Sequence, residues 1–217
     1  MSDPTAPAAR PRRGLREKRQ AITEGALRVF GREGYTRASI GEIAKEADVS
    51  TRTIYNHFTD KDELFRTVIA ESAARVRETH IAVVERYLGD VTDLDRDLRA
   101  FARALVGSRR DFPDHFAVVR QIQAEVLHLP NEVLEAWQDA GPRPVQQALA
   151  DRLAALDGAG LLDVPDPLQA ASHLMLLAGS EVNSRSFLDA RPLDPAEQDA
   201  LVDAGVRVFI RAYERRA

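Results

Sequence analysis

Two helix starts stand close together in this chain, and they limit the fold more than any other feature. Ser39, with Glu42 three residues on, makes a capping box in which hydroxyl and carboxylate each satisfy a backbone donor of the first turn. Ile40, Ile43, Ala44 and Ala47 fall on the inner face of that helix, Asp48 and Val49 form a turn, and Ser50 is placed to cap another helix ending near Phe58. Two helices of about eight residues joined by a tight turn have the dimensions of a helix-turn-helix. Their apolar set, extended by Val49, Ile54 and Phe58, would pack on a preceding helix over residues 15–32. That helix carries Ile22, Ala26, Val29 and Phe30 on one face and is ended by Gly34 as a left-handed cap.

The rest of the chain continues in the helical period, with no sustained alternation that would suggest a strand. Thr59 and Asp62 repeat the cap pattern and open a long fourth helix, on which Leu64, Phe65, Val68, Ile69, Val76, Val83 and Leu88 recur up to Gly89. Further helices are expected over 93–109, 112–128, 131–156, 166–188 and 194–215. Pro142 and Pro144 should kink or split the 131–156 segment, because proline removes a backbone donor and clashes with the preceding turn. Asp166-Pro167 with Gln169, and Asp194-Pro195 with Glu197, set two clear starts. The expected class is all-α with about nine helices. It divides into a flexible basic arm (1–14), a helix-turn-helix unit (15–60) and a helical remainder (61–217).

Composition narrows the function classes. Hydrophobic residues at 44% and charged residues at 29% are ordinary for a globular protein. The absence of cysteine removes thiol nucleophiles, disulfides and cysteine-held zinc, and fits a reducing cytoplasm. No apolar run approaches the roughly 20 residues that span a bilayer, and the N-terminus is Pro, Ala and Arg rather than a signal core, so a soluble cytoplasmic protein is expected. The net charge of -4 hides an asymmetry. Residues 1–60 hold 11 Lys and Arg against 8 Asp and Glu, six of the cations being Arg10, Arg12, Arg13, Arg16, Lys18 and Arg19. Such a cluster attracts an anionic partner such as DNA, unless it is only a solvated tail. Nothing points to catalysis. His115 and His128 are too far apart for a helical metal pair, Asp111 and Asp114 read as helix-start residues, and no phosphate-binding glycine loop or nucleophile elbow is present. No metal site and no cofactor are expected.

The stretch ITEGALRVFGREGYTRASIGEIAKEADVSTRTIYNHFTDKDELF resembles the N-terminal domain of the tetracycline-repressor (TetR) family. Phe30, Gly34-Tyr35, Ser39-Ile40, Ile43-Ala44, Val49-Ser50, Ile54-Tyr55, His57-Phe58 and Lys61 carry the likeness, which covers residues 15–66. The resemblance implies a dimeric repressor that leaves a palindromic operator when a small molecule binds its C-terminal domain. It also implies that Thr51, Arg52, Thr53, Asn56 and His57 face bases or nearby phosphates, with Tyr55, Lys61 and the helix starts at Ser39 and Ser50 on the backbone. Base chemistry agrees, since Arg pairs with guanine, Asn with adenine, and a Thr methyl can touch that of thymine. Two readings stay open here: Tyr55 as a core aromatic, and His57 as an exposed helix-end residue. Position 52 is often small in the family, so Arg52 adds either base reading or another phosphate contact. Arg10, Arg12 and Arg13 would extend the contact into the minor groove.

Beyond residue 67 the likeness is to architecture only. The segment AASHLMLLAG is apolar nearly all round and must be buried on more than one side. Helices 166–188 and 194–215, the latter with Leu201, Ala204, Val208, Phe209 and Ala212, form the expected homodimer interface. An apolar effector pocket is expected among Phe101, Phe112, Phe116, Arg120, Gln123, Trp137 and His173. The competing reading is a helical binding or scaffolding module of the same fold without sequence-specific DNA binding.

Overall fold

The computed structural model describes the backbone of residues 10–215 and side chains from residue 14. The described residues form ten α-helices: α1 (Arg10–Arg37), α2 (Ile40–Glu46), α3 (Thr51–Tyr55), α4 (Lys61–Leu88), α5 (Leu94–Gly107), α6 (Pro113–Glu125), α7 (Asn131–Ala140), α8 (Pro142–Gly158), α9 (Pro167–Ser186) and α10 (Pro195–Tyr213). Single 3-10 turns follow α5 and α6, and extended pairing among the described residues is limited to an isolated bridge between Leu162 and Glu214. The all-α expectation holds. The tenth helix arises because the 131–156 segment splits at Gly141, with Pro142 taking the first turn of α8, where its missing donor costs nothing.

Two helix starts differ from the sequence reading. The first helix begins at Arg10, so residues 10–14, expected in the arm, are helical; residues 1–9 and the side chains of Arg10, Arg12 and Arg13 lie outside the described residues. Helix α4 is capped by Asp60, whose carboxylate accepts from the Glu63 amide at 2.8 Å, rather than by Thr59 with Asp62. Glu63 reaches back to accept from the Thr59 amide at 2.6 Å, while Asp62 is drawn to the Tyr35 hydroxyl.

Two apolar clusters make the core. One gathers Ile22, Phe30, Ile43, Ile54, Phe65 and Ile69 from α1–α4 together with Val118, Ile122 and Val133 from α6 and α7. The other joins the far half of α4 to α5, α8, α9 and α10 around Phe101, Leu149, Leu153, Leu174 and Phe209. Helix α4 threads both, and α6 contributes to the first although it lies far along the chain.

The approach of α6 to α1 is made possible by small residues. A Cβ on Gly31 would sit 2.9 Å from that of Ala117, closer than real carbons approach. Gly34 takes φ +81°, a left-handed value that glycine adopts without penalty, and kinks α1 against Glu125 and Gln121.

Candidate functional site

The helix-turn-helix is assembled as its caps require. The Ser39 hydroxyl accepts from the Glu42 amide at 3.2 Å, and the Glu42 carboxylate accepts from the Ser39 amide at 3.1 Å. Ala47 and Asp48, the latter at φ 51°, turn the chain, and the Ser50 hydroxyl caps α3 through the Thr53 amide at 3.1 Å. The turn lies against α1 because residue 25 is glycine: a Cβ there would meet Ala47 at 3.0–3.2 Å. A helix as short as α3 is not stable alone. It is anchored by Ile54 and Phe58, each of which stabilises by about 1.5–3 kcal/mol when fully buried.

That anchoring turns the other side chains of α3 outward. Thr51 and Arg52 are exposed, as is Asn56 at the C-cap, and Tyr55 is 56% exposed, which removes the core-aromatic reading. Helix α3 ends at Tyr55, so Asn56 and His57 sit in the turn beyond it and not in a helix running to Phe58. His57 is half-buried, its ring 6.4 Å from that of Phe58. The Thr53 hydroxyl is paired with Ser50 at 2.9 Å, leaving its methyl as the group free to make other contacts. Lys61 is also tied to the helix before the motif. Its ammonium donates to the carbonyls of Tyr35 at 3.0 Å and Ala38 at 3.3 Å and lies 4.5 Å from the Tyr35 ring centre. Two of its three donors thus close the end of α1, and one remains. The Tyr35 hydroxyl, donating to Asp62 and partly buried, is pushed up to about 12 by desolvation first and that bond second.

The second feature is a cavity of about 230 Å³ inside the helical body, between α4, α6, α7, α8 and α9. Of the residues expected to line it, Phe116, Gln123 and Trp137 do so. Phe101 lies in the core beside a smaller cavity of about 60 Å³. Phe112 faces an outer groove near Leu27 and Pro113. Arg120 stops at the rim, its guanidinium donating to the Leu188 carbonyl at 2.7 Å. His173 is misplaced by the sequence reading: its ring bonds the Tyr213 hydroxyl at 2.7 Å on the outer side of α9. The cavity is reached by Met175, two residues on, and two steps of about 100° put His173 on the opposite face.

Apart from Gln123, the hydrogen-bonding and charged side chains that line the cavity, among them His80, His115 and Arg109, are not marked as lining residues by the sequence. His80 on α4 sits between Val76 and Val84, an imidazole on an apolar stripe, which was the available signal. The Ser108 hydroxyl donates to the Leu105 carbonyl at 2.7 Å, so its contact with His80 Nε2 at 3.0 Å has the imidazole donating. His115 Nδ1 meets the Ser72 hydroxyl at 2.9 Å. Burial pushes both histidines down to about 4, helped by Arg109 at His80 and by His80 and Arg75 at His115. Burial likewise disfavours the charge of Arg109, which Asp189 partly offsets; its guanidinium lies 5.3 Å from the Phe116 ring centre.

Helix α6 joins the two features. His115, Phe116 and Val119 face the cavity, while Ala117, Val118, Gln121, Ile122 and Glu125 face α1. Among the described residues there is no group of three or more His, Cys, Asp or Glu that could hold a metal ion, and no helix long and apolar enough to cross a membrane.

A helix-turn-helix head on a helical body with an internal cavity defines an all-α DNA-binding regulator class. Residues 22–68 match bacterial regulatory proteins of the tetR family, and residues 96–215 match the C-terminal domain of AefR-like transcriptional repressors. The chain belongs to the TetR family of helix-turn-helix transcriptional regulators. A TetR-family regulator structure from Mesorhizobium loti superposes with TM-score 0.82 at 27% identity, covering 96% of this chain and 100% of that one. The flavonoid-responsive regulator FrrA gives TM-score 0.70 at 25% identity over 92% of this chain and 98% of its own. The transcriptional regulator AcrR of Shigella flexneri is 30% identical over 129 residues, 54% of this chain and 60% of the relative. The chain thus spans less than two thirds of that curated relative.

Proposed function

We propose that this protein is a cytoplasmic homodimeric repressor that binds a palindromic operator through α3 and leaves it when a small molecule fills the cavity. The observation that carries this reading is the double role of α6, one face on the cavity and the other on α1, which supports α2 and α3. A ligand that shifts α6 must move α1 or lose the packing at Ala117, and interiors this dense transmit such shifts.

On the DNA side, Arg52 and Asn56 read bases, with Thr51, Thr53 and His57 beside them. Tyr55, the third donor of Lys61 and the helix starts at Ser39 and Ser50 face phosphates. Arg10, Arg12 and Arg13 add affinity that depends little on sequence; removing residues 1–13 should flatten the slope of log K against log salt, and an unchanged slope would remove the arm from the interface. Pairing runs through α9 and α10, where Leu176, Leu177 and Val208 are exposed apolar side chains. Gly205, pressed on the α9 backbone at Leu177, holds the two helices together within one chain.

Selection of bound sequences from a random DNA pool tests the reading. The expected product is an inverted repeat with half-sites about one turn apart, roughly 34–36 Å. A pool that shows no enrichment contradicts it.

A further inference from the structure

The geometry points to an organic carboxylate with an apolar body as the molecule this cavity takes, its anionic group held by Arg109. The inference rests on the reading of the cavity as an effector site and adds the chemical class. Three buried side-chain polar atoms lack a hydrogen-bond partner among the described residues: Arg109 Nη1, Trp137 Nε1 and Asn183 Oδ1. All three residues line this one cavity. Buried polar groups are normally satisfied, so three orphans around one space describe what should fill it.

Two of the orphans are donors, and one of these belongs to a cation. No carboxylate lines the cavity among the described residues, and both lining histidines are neutral at pH 7. Arg77, the other lining cation, already donates to the Ala140 carbonyl at 3.2 Å. A neutral ligand would leave the Arg109 charge with only the partial offset from Asp189 and its Nη1 unpaired, whereas a carboxylate neutralises the charge and accepts the bond. Val76, Val119, Val145 and Met175 supply the apolar wall.

Size narrows the class further. An engineered cavity of about 150 Å³ holds benzene, so about 230 Å³ suits roughly nine or ten non-hydrogen atoms. Arg109, His80 and Met175 also border the neighbouring 60 Å³ cavity, so their movement would admit a somewhat longer chain.

The test uses the full-length protein without DNA, titrated with octanoate and phenylacetate and with the primary amide of each. Trp137 is the sole tryptophan and lines the cavity, so its fluorescence, checked by calorimetry, reports occupancy. The acids should bind about tenfold or more tighter than the amides, the range expected of a hydrogen bond to a charged group. Arg109→Gln should abolish that preference, Arg109→Lys should restore part of it, and Arg77→Gln should leave it in place. Equal binding of acid and amide, a preference that survives Arg109→Gln, or no binding of either acid at millimolar concentration would overturn the inference. If Arg109→Gln does not fold, the ratio of acid to amide for the unaltered protein decides. Acids that bind without releasing a selected operator would leave this inference standing and sink the repressor reading; release by neutral compounds alone would do the reverse.

Discussion

The Glu125 carboxylate at the end of α6 accepts from both the amide and the hydroxyl of Thr36 in α1, at 3.0 and 3.2 Å. This is a polar tie between the cavity-lining helix and the helix that supports α2 and α3. Glu125→Ala should cost about 0.5–1.5 kcal/mol of stability, the net worth of such bonds, measured by urea unfolding. It should also reduce ligand-driven release from the operator more than it changes operator affinity. Unaltered release would place the coupling elsewhere.

Gly25 makes a second specific demand. A Cβ there meets the Ala47 backbone and side chain at 3.0–3.2 Å, so Gly25→Ala must push the helix-turn-helix away from α1. Overpacking of this kind costs about 1–3 kcal/mol, against the roughly 0.8–1 kcal/mol that alanine returns as a better helix former. Destabilisation together with weaker operator binding is expected in unfolding and mobility-shift measurements; a stabilised variant would contradict the close approach.

Acid should loosen the body of the protein through His80 and His115. Burial lowers both to about 4, below the ordinary value of 6.5, so the unfolded chain binds more protons between those limits. Stability is therefore full above about pH 6.5 and falls as the pH drops toward 4, by up to about 3 kcal/mol for each histidine and less for two that repel each other. Thermal melts across that range check the sign. His80→Asn, unable to titrate, should flatten the decline.

The exposed apolar pair Leu176 and Val208, at 60% and 51% exposure, lies on the two helices assigned to pairing. Leu176→Glu and Val208→Glu should leave the folded chain intact and shift it toward monomer in sedimentation at micromolar concentration. A dimer that survives both would move the interface off α9 and α10.

Local chemistry was legible in the sequence, and convergence was not. The caps at Ser39, Ser50, Asp166 and Asp194 all form, because a cap is decided within four residues. The outward face of α3 followed once Ile54 and Phe58 were assigned inward. The cap of α4 slipped by one residue, since Asp62 is engaged by Tyr35, a partner 27 residues away. The cavity is legible only in part, through Phe116, Gln123 and Trp137, which combine bulk or polarity with apolar surroundings. Arg109, Asn183 and His80 meet only through the packing of α4, the 3-10 turn after α5, and α9, and no spacing along the chain encodes that. His173 illustrates the limit, because α9 is apolar nearly all round and its composition does not fix which stripe faces inward.

Base reading by α3 and its C-cap is separable from backbone contact in a binding measurement. Fluorescence anisotropy on a selected operator and on a scrambled duplex, comparing the natural protein with Arg52→Ala, Asn56→Ala and Lys61→Ala, tests it most directly. Arg52→Ala and Asn56→Ala should each lose about 1–3 kcal/mol on the operator and little on the scrambled duplex, while Lys61→Ala weakens both alike. Its ties to Tyr35 and Ala38 also predict a loss of stability for Lys61→Ala. Operator binding unchanged in all three variants, or equal losses on both duplexes for Arg52 and Asn56, would contradict the account.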